Sequence, residues 1–303
     1  MKDVIIEAKN LTKDYGLGRG VFDLSFEIQK GEMIGFVGTN GSGKTTTIRQ
    51  ILGFIKPTSG SIKVLGKECS ENSAEIDKLI GYVPGEIAFP DLKTGIAFLK
   101  MQAELYGLKD FSYANELIHR LALDPKANLK RMSKGMKQKT ALVAALMNDP
   151  PIIVLDEPTT GLDPLMREQF IEIIKEEHKK GKTIFMSTHM YEEVESTCDR
   201  VALIDRGRIV DFADLHKIAN PDIQQFVVEF IDEENCQKFQ QNTALSFKKR
   251  KKSSRLTIEV KAEDSGKMAR ELAKYQIKFI SEQHDNLQHY FDRKLKEETH
   301  EIQ

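Results

Sequence analysis

Residues 38–45 read Gly38-Thr39-Asn40-Gly41-Ser42-Gly43-Lys44-Thr45, the full Gly-x-x-x-x-Gly-Lys-[Ser/Thr] pattern of a phosphate-binding loop. The loop follows an apolar run at 33–37, which predicts a strand, and precedes a run at 46–52 that predicts a helix. Glycines let backbone N–H groups close around phosphate oxygens, and the helix points the positive end of its dipole at the same anion. A glycine-rich turn that matches by chance is the alternative, and the strand–loop–helix setting favours phosphate binding.

Two consecutive acids, Asp156 and Glu157, end a second apolar run at 152–155. A run that is apolar on both faces predicts a strand buried within a parallel sheet. At such a strand end Asp156 can hold Mg²⁺, directly or through water, and Glu157 can polarise a water for in-line attack on a phosphate. The alternative is a pair of acids that only caps the strand, and the phosphate loop upstream favours the catalytic interpretation.

Two further segments carry polar groups suited to phosphate. Ser133 and Gly135 stand just before an apolar helix that begins near Thr140, so a hydroxyl and unobstructed backbone N–H groups form a second anion site on a different segment. His189 directly follows a predicted strand at 183–187, which places its imidazole at the carboxyl edge of the sheet, where ligands bind in open α/β folds. The alternative for His189 is a histidine satisfied within the core.

The order of predicted elements indicates an α/β protein. Strands at 4–9, 21–28 and 61–65 surround the phosphate loop, and strand–helix alternation after it predicts a three-layer α/β core. Apolar residues at three- and four-residue spacing predict helices between 93 and 148. Asn220-Pro221 breaks the pattern, and the segment beyond it predicts a β-α-β-β-α-β order, typical of a small ferredoxin-like unit, with a closing helix at 284–298.

Composition narrows the class of protein. The chain has 303 residues and a net charge of −1, so no global basic field predicts a nucleic-acid partner. Three widely spaced cysteines, Cys69, Cys198 and Cys236, form no metal-ligand pair and suggest a reducing compartment. Because no run approaches the ~20 apolar residues of a spanning helix, the sequence predicts a soluble, cytosolic chain whose membrane role would come through a partner.

Together these motifs resemble those of the ATP-binding subunits of ABC transporters. The resemblance covers roughly residues 3–218, and its motifs occur in the order and spacing of that family. It implies an α/β fold of the P-loop NTPase, ABC type, with antiparallel β and helical subdomains. The implied nucleotide-binding domain is 1–220 with a helical subdomain at about 88–150, and the remainder, 221–303, is a small C-terminal α+β accessory domain.

The resemblance also implies roles for single residues. Glu157 is the implied catalytic glutamate and His189 the implied switch histidine at the γ-phosphate, while Thr45 and Asp156 hold Mg²⁺. Asp163 resembles the residue that links two sites, and Ser133 and Gly135 the signature residues that contact the nucleotide of the opposite protomer. The implied ATP contacts are Tyr15, Gly38, Thr39, Asn40, Gly41, Ser42, Gly43, Lys44, Thr45, Thr46, Ser133, Gly135 and Asp163. Tyr15 would stack on adenine, and its alternative is an aromatic that only packs its loop.

Two positions depart from the family pattern. The signature reads Met132-Ser133-Lys134-Gly135-Met136, with Lys134 where the family has glycine. Gly85, followed by Glu86, stands where the family has a glutamine that couples the site to the membrane subunit. These departures keep open a regulatory module that binds ATP but hydrolyses it poorly. A basic run, Lys248-Lys249-Arg250-Lys251-Lys252, is read as a solvated turn, with a lipid or nucleic-acid contact as its alternative.

The function implied by the resemblance is ATP hydrolysis coupled to transport. Two copies, as a homodimer or heterodimer, would clamp two ATP molecules with Mg²⁺ and drive a separate ABC-2-like membrane subunit. The short helical segment 93–148 and the extra C-terminal unit resemble bacterial exporters of the bacitracin- and daunorubicin-resistance type. This resemblance favours export of a drug, peptide or lipid-like molecule from the cytoplasmic face of the cell membrane. The alternative is a soluble ABC-type ATPase with a non-transport or regulatory role.

Overall fold

The structure is a computed structural model that describes residues 3–220, 222–249, 254–283 and 286–301; for Lys249 and residues 298–301 it describes the backbone alone. Its internal contacts divide the chain into a first unit that runs to Ala213 and a second unit from Asp214 to Glu297. The domain boundary predicted at 220/221 stays a prediction, and Pro221, on which it depends, lies outside the described residues.

The first unit alternates strands and helices along the chain. Its strands are β1 (Val4–Asp14), β2 (Gly20–Gln29), β3 (Met33–Val37), β4 (Ser59–Val64), β5 (Lys67–Glu68), β6 (Ile80–Val83), β7 (Ile152–Asp156), β8 (Thr183–Thr188), β9 (Arg200–Asp205) and β10 (Arg208–Asp214). Its helices are α1 (Lys44–Ile51), α2 (Ser73–Asp77), α3 (Gly95–Tyr106), α4 (Ser112–Arg120), α5 (Lys134–Leu146), α6 (Pro164–Lys179) and α7 (Tyr191–Thr197).

These strands form two sheets with different roles. The first has the order β2-β1-β4-β5, and its neighbouring strands run antiparallel. The second has the order β10-β9-β3-β8-β7-β6, and every neighbouring pair from β9 to β6 is parallel. Because parallel strands end at one edge, the segments that follow β3, β6, β7 and β8 meet there. The fold thereby brings together four stretches that are far apart in sequence.

Helix α1 lies between the two sheets and contacts β2, β4 and β7. One apolar cluster joins Ile48 and Ile51 of α1 to residues of both sheets, including Phe26, Phe36 and Phe185. The rings of Phe36 and Phe185 are 5.2 Å apart, and all of these side chains are almost fully buried. Burial of this kind holds the helix, and the phosphate loop at its start, in a fixed position.

The predicted helical stretch contains three separate helices, α3, α4 and α5, with a 3-10 turn at Leu129–Arg131 before α5. Helix α3 begins at the cap Thr94, whose hydroxyl accepts from Ala97 N–H, and ends at Gly107 with a φ of 66°. Strand β1 is longer than predicted because β-bulges, one of them next to Asn10 at a φ of 47°, carry it past the polar residues that break the alternation.

The second unit has the predicted order of elements. After a short helix, α8 (Leu215–Ala219), it comprises β11 (Ile223–Phe230), α9 (Glu233–Asn242), β12 (Ser246–Lys249), β13 (Arg255–Lys261), α10 (Ser265–Leu272), β14 (Ile277–Gln283) and α11 (Leu287–Glu301). Its sheet has the order β12-β13-β11-β14 with antiparallel neighbours, the split β-α-β arrangement. A separate apolar cluster around Phe230 and Phe239 forms its core.

Three smaller predictions concern this unit and the membrane. Residues 250–252 of the predicted basic turn, and the start of the closing helix at 284–285, lie outside the described residues. Lys248 lies within β12 rather than in a turn, and its ammonium pairs with Glu259 at 2.6 Å. Within the described ranges, no helix is long and apolar enough to cross a bilayer.

Candidate nucleotide-binding site

The phosphate loop connects β3 to α1 and depends on glycine for its shape. A Cβ atom at Gly38 would lie 2.2 Å from the carbonyl oxygen of Ile204, and Gly43 has a φ of 114°, which disfavours other residues. Among the described residues, no side chain caps the start of α1. The Ser42 hydroxyl is buried and makes no hydrogen bond in the described structure. Helix-start N–H groups and a buried, unpaired hydroxyl fit a phosphate group.

Lys44 is the cation of this loop. Its ammonium donates to the carbonyl oxygens of Gly38 at 2.8 Å and Thr39 at 3.1 Å, and it lies 3.2 Å from Oε1 of Glu157. The side chain is 6% exposed, so the charge is held inside the cleft by these oxygens. A buried cation whose neighbours are a carboxylate and carbonyl dipoles is suited to stabilise a polyphosphate.

Asp156, at the end of β7, accepts two hydroxyl hydrogen bonds. Thr45 donates to Oδ2 at 2.8 Å, and Ser187, at the end of β8, donates to Oδ1 at 2.6 Å. Asp156 is 2% exposed. The resulting set of hard oxygen donors is the kind that Mg²⁺ prefers, so these residues fit the ion. Ser187 was not among the predicted site residues, because only the pairing of β7 with β8 reveals its contact with Asp156.

Glu157 and His189 lie face to face at the same edge. Nδ1 of His189 is 2.6 Å from Oε2 of Glu157, and an ionised carboxylate requires the ring nitrogen to be the donor. Glu157 is 19% exposed and has a φ of 50°, a conformation that is uncommon outside glycine. Its N–H donates to the carbonyl oxygen of Ser187 at 2.9 Å, which ties the segment after β7 to β8.

Three further predicted residues, Ser133, Gly135 and Asp163, lie at the starts of two helices. Ser133 caps α5 by accepting from Met136 N–H at 3.2 Å, and Asp163 caps α6 by accepting from Met166 N–H at 3.0 Å. A Cβ atom at Gly135 would lie 2.7 Å from the carbonyl oxygen of Gly161, so the two segments approach closely. The start of α5 therefore lies close to the segment that leads into α6, and Ser133 and Asp163 cap these two helices.

Tyr15 lies in the turn between β1 and β2. Its side chain is 49% exposed, and the Lys13 ammonium stands 5.6 Å from the ring centre. Thr45, Asp156 and Glu157 line one cleft. Within the part of the chain that the structure describes, Tyr15, Ser133 and Asp163 do not line it. The structure of one chain therefore groups the predicted residues into separate clusters.

The cleft itself has a volume of about 460 Å³. Residues from five segments line it: Asn40, Thr45, Arg49, Tyr82, Pro84, Gly85, Glu86, Lys134, Asp156, Glu157, Thr160 and His189. Burial, and then the charge of Asp156, raises the pKa of Tyr82 to about 12, so its phenol is neutral near pH 7. Arg49, Tyr82 and Thr160 were not among the predicted site residues, and the fold places them at the cleft.

The unusual Gly85 leaves space in this cleft. A Cβ atom there would lie 3.4 Å from the carbonyl oxygen of Asp156 and 3.5 Å from Oδ2, which is ordinary contact. Sterics therefore do not require glycine at this position. Glu86 lines the same cleft, so a carboxylate stands one residue after the position where an amide is expected. The charge near Asp156 is correspondingly more negative.

Comparisons with known proteins agree in finding ATP-binding proteins and the ABC transporter family. The ABC transporter family model matches residues 21–160. The chain is 36% identical over 211 residues to a linearmycin resistance ATP-binding protein of Bacillus subtilis, with 68% of each chain covered. It is 36% identical over 213 residues to the bacitracin transport ATP-binding protein BcrA of Bacillus licheniformis, covering 68% of this chain and 69% of that one.

Solved structures agree with these relatives. An ATP-binding subunit of an ABC transporter matches with a TM-score of 0.65 at 31% identity, over 71% of this chain and 91% of that one. A dimeric ATP-binding cassette in a post-hydrolysis state, bound to ADP and Pi, matches with a TM-score of 0.63 at 25% identity, over 70% and 99% of the two chains.

Proposed function

The chain belongs to the ABC transporter family as an ATP-binding subunit, and from that premise we propose that Glu157 and His189 form its hydrolytic pair. As a member of the family it is an ATPase that serves transport, which confirms the function expected from its motifs. The observation that supports the proposal is the 2.6 Å contact between the two side chains, beside the phosphate loop and Asp156. Glu157 would accept a proton from the attacking water as its oxygen bonds to the γ-phosphorus and ADP leaves.

We propose that the phosphate loop and the residues Tyr15, Lys44 and Thr45 bind ATP in one copy. Asp156 and Thr45 would hold Mg²⁺, which neutralises phosphate charge when bound. Within the described residues, Lys134 lines this cleft but Ser133 and Gly135 do not. Ser133 and Gly135 would instead meet the ATP of a second copy, with Asp163 linking the two sites. Members of this family form dimers and work with membrane subunits; a homodimer or heterodimer that seals two ATP molecules follows from a two-fold axis.

A complementation experiment tests this sharing of sites. Lys44→Ala removes the cation of the phosphate loop and leaves the signature intact. Ser133→Asp keeps an acceptor for the cap of α5 but faces phosphate with a negative charge, and Ser133→Asn is its neutral control. Each of the first two variants alone should be inactive, and a mixture should regain ATPase activity because one of the two sites is then whole. A mixture that stays inactive while Ser133→Asn is active would contradict the proposal.

The names of the relatives support a proposal for the partner and the direction of transport. Their names describe linearmycin resistance, bacitracin transport and, in Cupriavidus metallidurans, Nod factor export. We therefore propose that this chain drives export of a drug, peptide or lipid-like molecule through a separate ABC-2-like membrane subunit, from the cytoplasmic face of the membrane. Co-purification of that subunit, with ATPase activity that rises in membranes, is the expected result.

The second candidate is a soluble or regulatory ABC-type ATPase. It is favoured by Gly85, because no side chain at that position can couple the cleft to a membrane partner, and by the acidic Glu86 beside it. Steady-state ATPase measured with and without membranes separates the two candidates. Equal and low rates under both conditions would favour the regulatory module over the transporter subunit.

A further inference from the structure

Glu193, on α7, is a buried acid to which none of the motifs assigns a role. It is 3% exposed. Its two carboxylate oxygens are used separately: the Thr159 hydroxyl donates to Oε1, and the Thr188 hydroxyl donates to Oε2 at 3.1 Å. A buried carboxylate that is satisfied by two hydroxyl groups on different segments holds those segments at a fixed separation.

Each threonine is a close neighbour in sequence of one member of the hydrolytic pair. Thr159 comes two residues after Glu157, and Thr188 directly precedes His189. The Thr188 hydroxyl also accepts from Met190 N–H at 3.0 Å, which fixes the turn that carries the imidazole. One carboxylate therefore bonds to both of the segments whose side chains meet at 2.6 Å.

The charges around Glu193 show that hydroxyl groups are its main partners. Among the described residues, the cation that pairs with Glu193 is Arg167, whose Nε lies 3.6 Å from Oε1 and makes no hydrogen bond there. Burial raises the pKa of Glu193, and the bonds from Thr159 and Thr188 oppose that shift. The hydroxyl groups of Ser196 and Thr197 donate to the backbone oxygen of Glu193 rather than to its side chain, so these bonds within α7 survive a change of side chain.

We infer that Glu193 is a positioning residue for ATP hydrolysis, which acts by bonding Thr159 and Thr188 and thereby fixing the contact of Glu157 with His189. This inference rests on the proposed roles of those two residues. Glu193 touches neither reacting atoms nor, within the described part of the cleft, its walls. Its loss should therefore slow the chemical step and leave ATP binding nearly unchanged, because displacements of about 1 Å in a catalytic pair cost up to about 10²-fold in rate.

The test compares Glu193→Ala, Glu193→Gln and the double variant Thr159→Val/Thr188→Val. Glu193→Ala should lower kcat at least about tenfold and change KM for ATP by less than about twofold. Glu193→Gln should recover most of kcat, because the amide accepts from one threonine and donates to the other. The double threonine variant should lose as much kcat as Glu193→Ala. Combining Glu193→Ala with both threonine changes should lower kcat no further, since all three substitutions break the same connection.

Several outcomes would overturn the inference. Wild-type kcat in Glu193→Ala, or in the double threonine variant, would show that the connection does not position the pair. Equal losses in kcat and in ATP affinity would indicate a general structural role. If Glu193→Ala does not fold, the Gln and threonine variants still decide. Glu157→Gln is measured in parallel: if it hydrolyses ATP normally, the proposed function fails, whereas if it is inactive and Glu193→Ala is normal, only this inference fails.

Discussion

Lys134 shows how one residue alters the chemistry of a shared motif. It occupies the position where the family has glycine, and its methylene carbons pack over Gly161: a Cβ atom added to Gly161 would lie 2.9 Å from Cγ and 3.0 Å from Cδ of Lys134. The same side chain lines the cleft with Glu157 and His189. Its stem therefore has a packing role, and at the proposed phosphate site its ammonium would add positive charge.

Replacing Lys134 with Met separates these two roles, because Met keeps the stem and removes the charge. We expect KM for ATP to rise by roughly three- to tenfold at low ionic strength, the effect of losing one exposed charge–phosphate interaction. The difference from wild type should shrink at high salt. Lys179→Met, an exposed lysine at the end of α6, is the control and should change nothing. An unchanged KM for Lys134→Met at low salt would show that the charge does not reach the nucleotide.

For single residues, the sequence predicts site residues that directly follow a strand better than the residues that hydrogen-bond to those site segments. Glu157 and His189 each come just after an apolar run, so a shared sheet edge was expected from pattern alone, and whether they act there remains proposed. Glu193 and Ser187 gave no such signal. Their partners are 34 and 31 residues away in sequence, and only the pairing of β7 with β8 and the packing of α7 join them.

Helix starts in this chain contain a matched pair of glycines. Gly135 is the second residue of α5 and Gly266 the second residue of α10. A Cβ atom at Gly135 would lie 2.7 Å from the backbone oxygen of Gly161, whereas one at Gly266 would meet no heavy atom of the described structure within 4 Å. Identical substitutions at equivalent helix positions thus differ only in the space available.

Gly135→Ala should lower the free energy of unfolding by about 1–3 kcal/mol, because backbone must move to admit the methyl group. It should also reduce ATPase activity, since the signature segment is displaced from Gly161. Gly266→Ala should leave the free energy of unfolding unchanged or raise it by up to about 1 kcal/mol, the helix preference of Ala over Gly. Denaturant unfolding of both variants measures this. Equal effects at the two positions would contradict the close approach of α5 to Gly161.

A second element, α6, is held by a buried charge cluster. Glu177 is 1% exposed and accepts from the Tyr113 hydroxyl of α4 at 2.5 Å and from Lys180 at 2.6 Å, and it pairs with the largely buried Lys182. Burial opposes ionisation of Glu177, but the hydrogen bonds from Lys180, Lys182 and Tyr113 outweigh it and lower its pKa. Helices α4 and α6 are therefore joined through an ionised carboxylate.

The sign of this shift predicts how stability depends on pH. Because the pKa of Glu177 is lower in the folded state, its stabilisation is present above the ordinary value of 4.5 and is lost as pH falls through the folded value. Glu177→Gln should cost about 3 kcal/mol at pH 7, because it leaves the largely buried Lys182 with Asp149 as its one remaining carboxylate partner among the described residues. The difference from wild type should shrink below pH 4.5. Glu176→Gln, on a half-exposed neighbour bonded to Arg120, should cost at most about 1 kcal/mol. A pH-independent difference would contradict the cluster.

Element types were predictable where periodicity was long, and element ends were not. The strands β3, β7 and β8 were predicted nearly at their true bounds, because uninterrupted apolar runs mark them. Helices α2 and α7 were missed, since five and seven residues are too short to show a period. Strand β1 was read too short, because a bulge does not preserve alternation.

At the scale of the whole molecule, each unit has its own apolar core. The first unit's core lies between its two sheets, and the second unit's core gathers Val228, Phe230, Phe239 and Leu256 with neighbouring apolar side chains. The β-α-β-β-α-β order of the second unit was predicted from strand and helix patterns and is confirmed. The sequence patterns indicate no function for the second unit, because an apolar core carries no functional motif.

Separate cores predict two distinct unfolding transitions, and a substitution in each unit can tell them apart. Phe239 is fully buried, with the rings of Phe230 and Tyr275 at 5.2 and 5.3 Å. Phe239→Ala should cost the second unit about 3–5 kcal/mol and lower its midpoint by more than about 12 °C. In Glu157→Gln, ATP at about 100 times its Kd should add about 2.7 kcal/mol to the first unit and raise its midpoint by about 5–10 °C.

Differential scanning calorimetry of the Glu157→Gln chain, with and without Phe239→Ala, measures both effects on one protein. The Phe239 substitution should lower the midpoint of one transition, and ATP should raise the midpoint of the other. Each perturbation should act on its own transition because each affects a different unit. A single transition that both perturbations move together would show that the two cores unfold as one cooperative unit, and would contradict independent folding of the C-terminal segment.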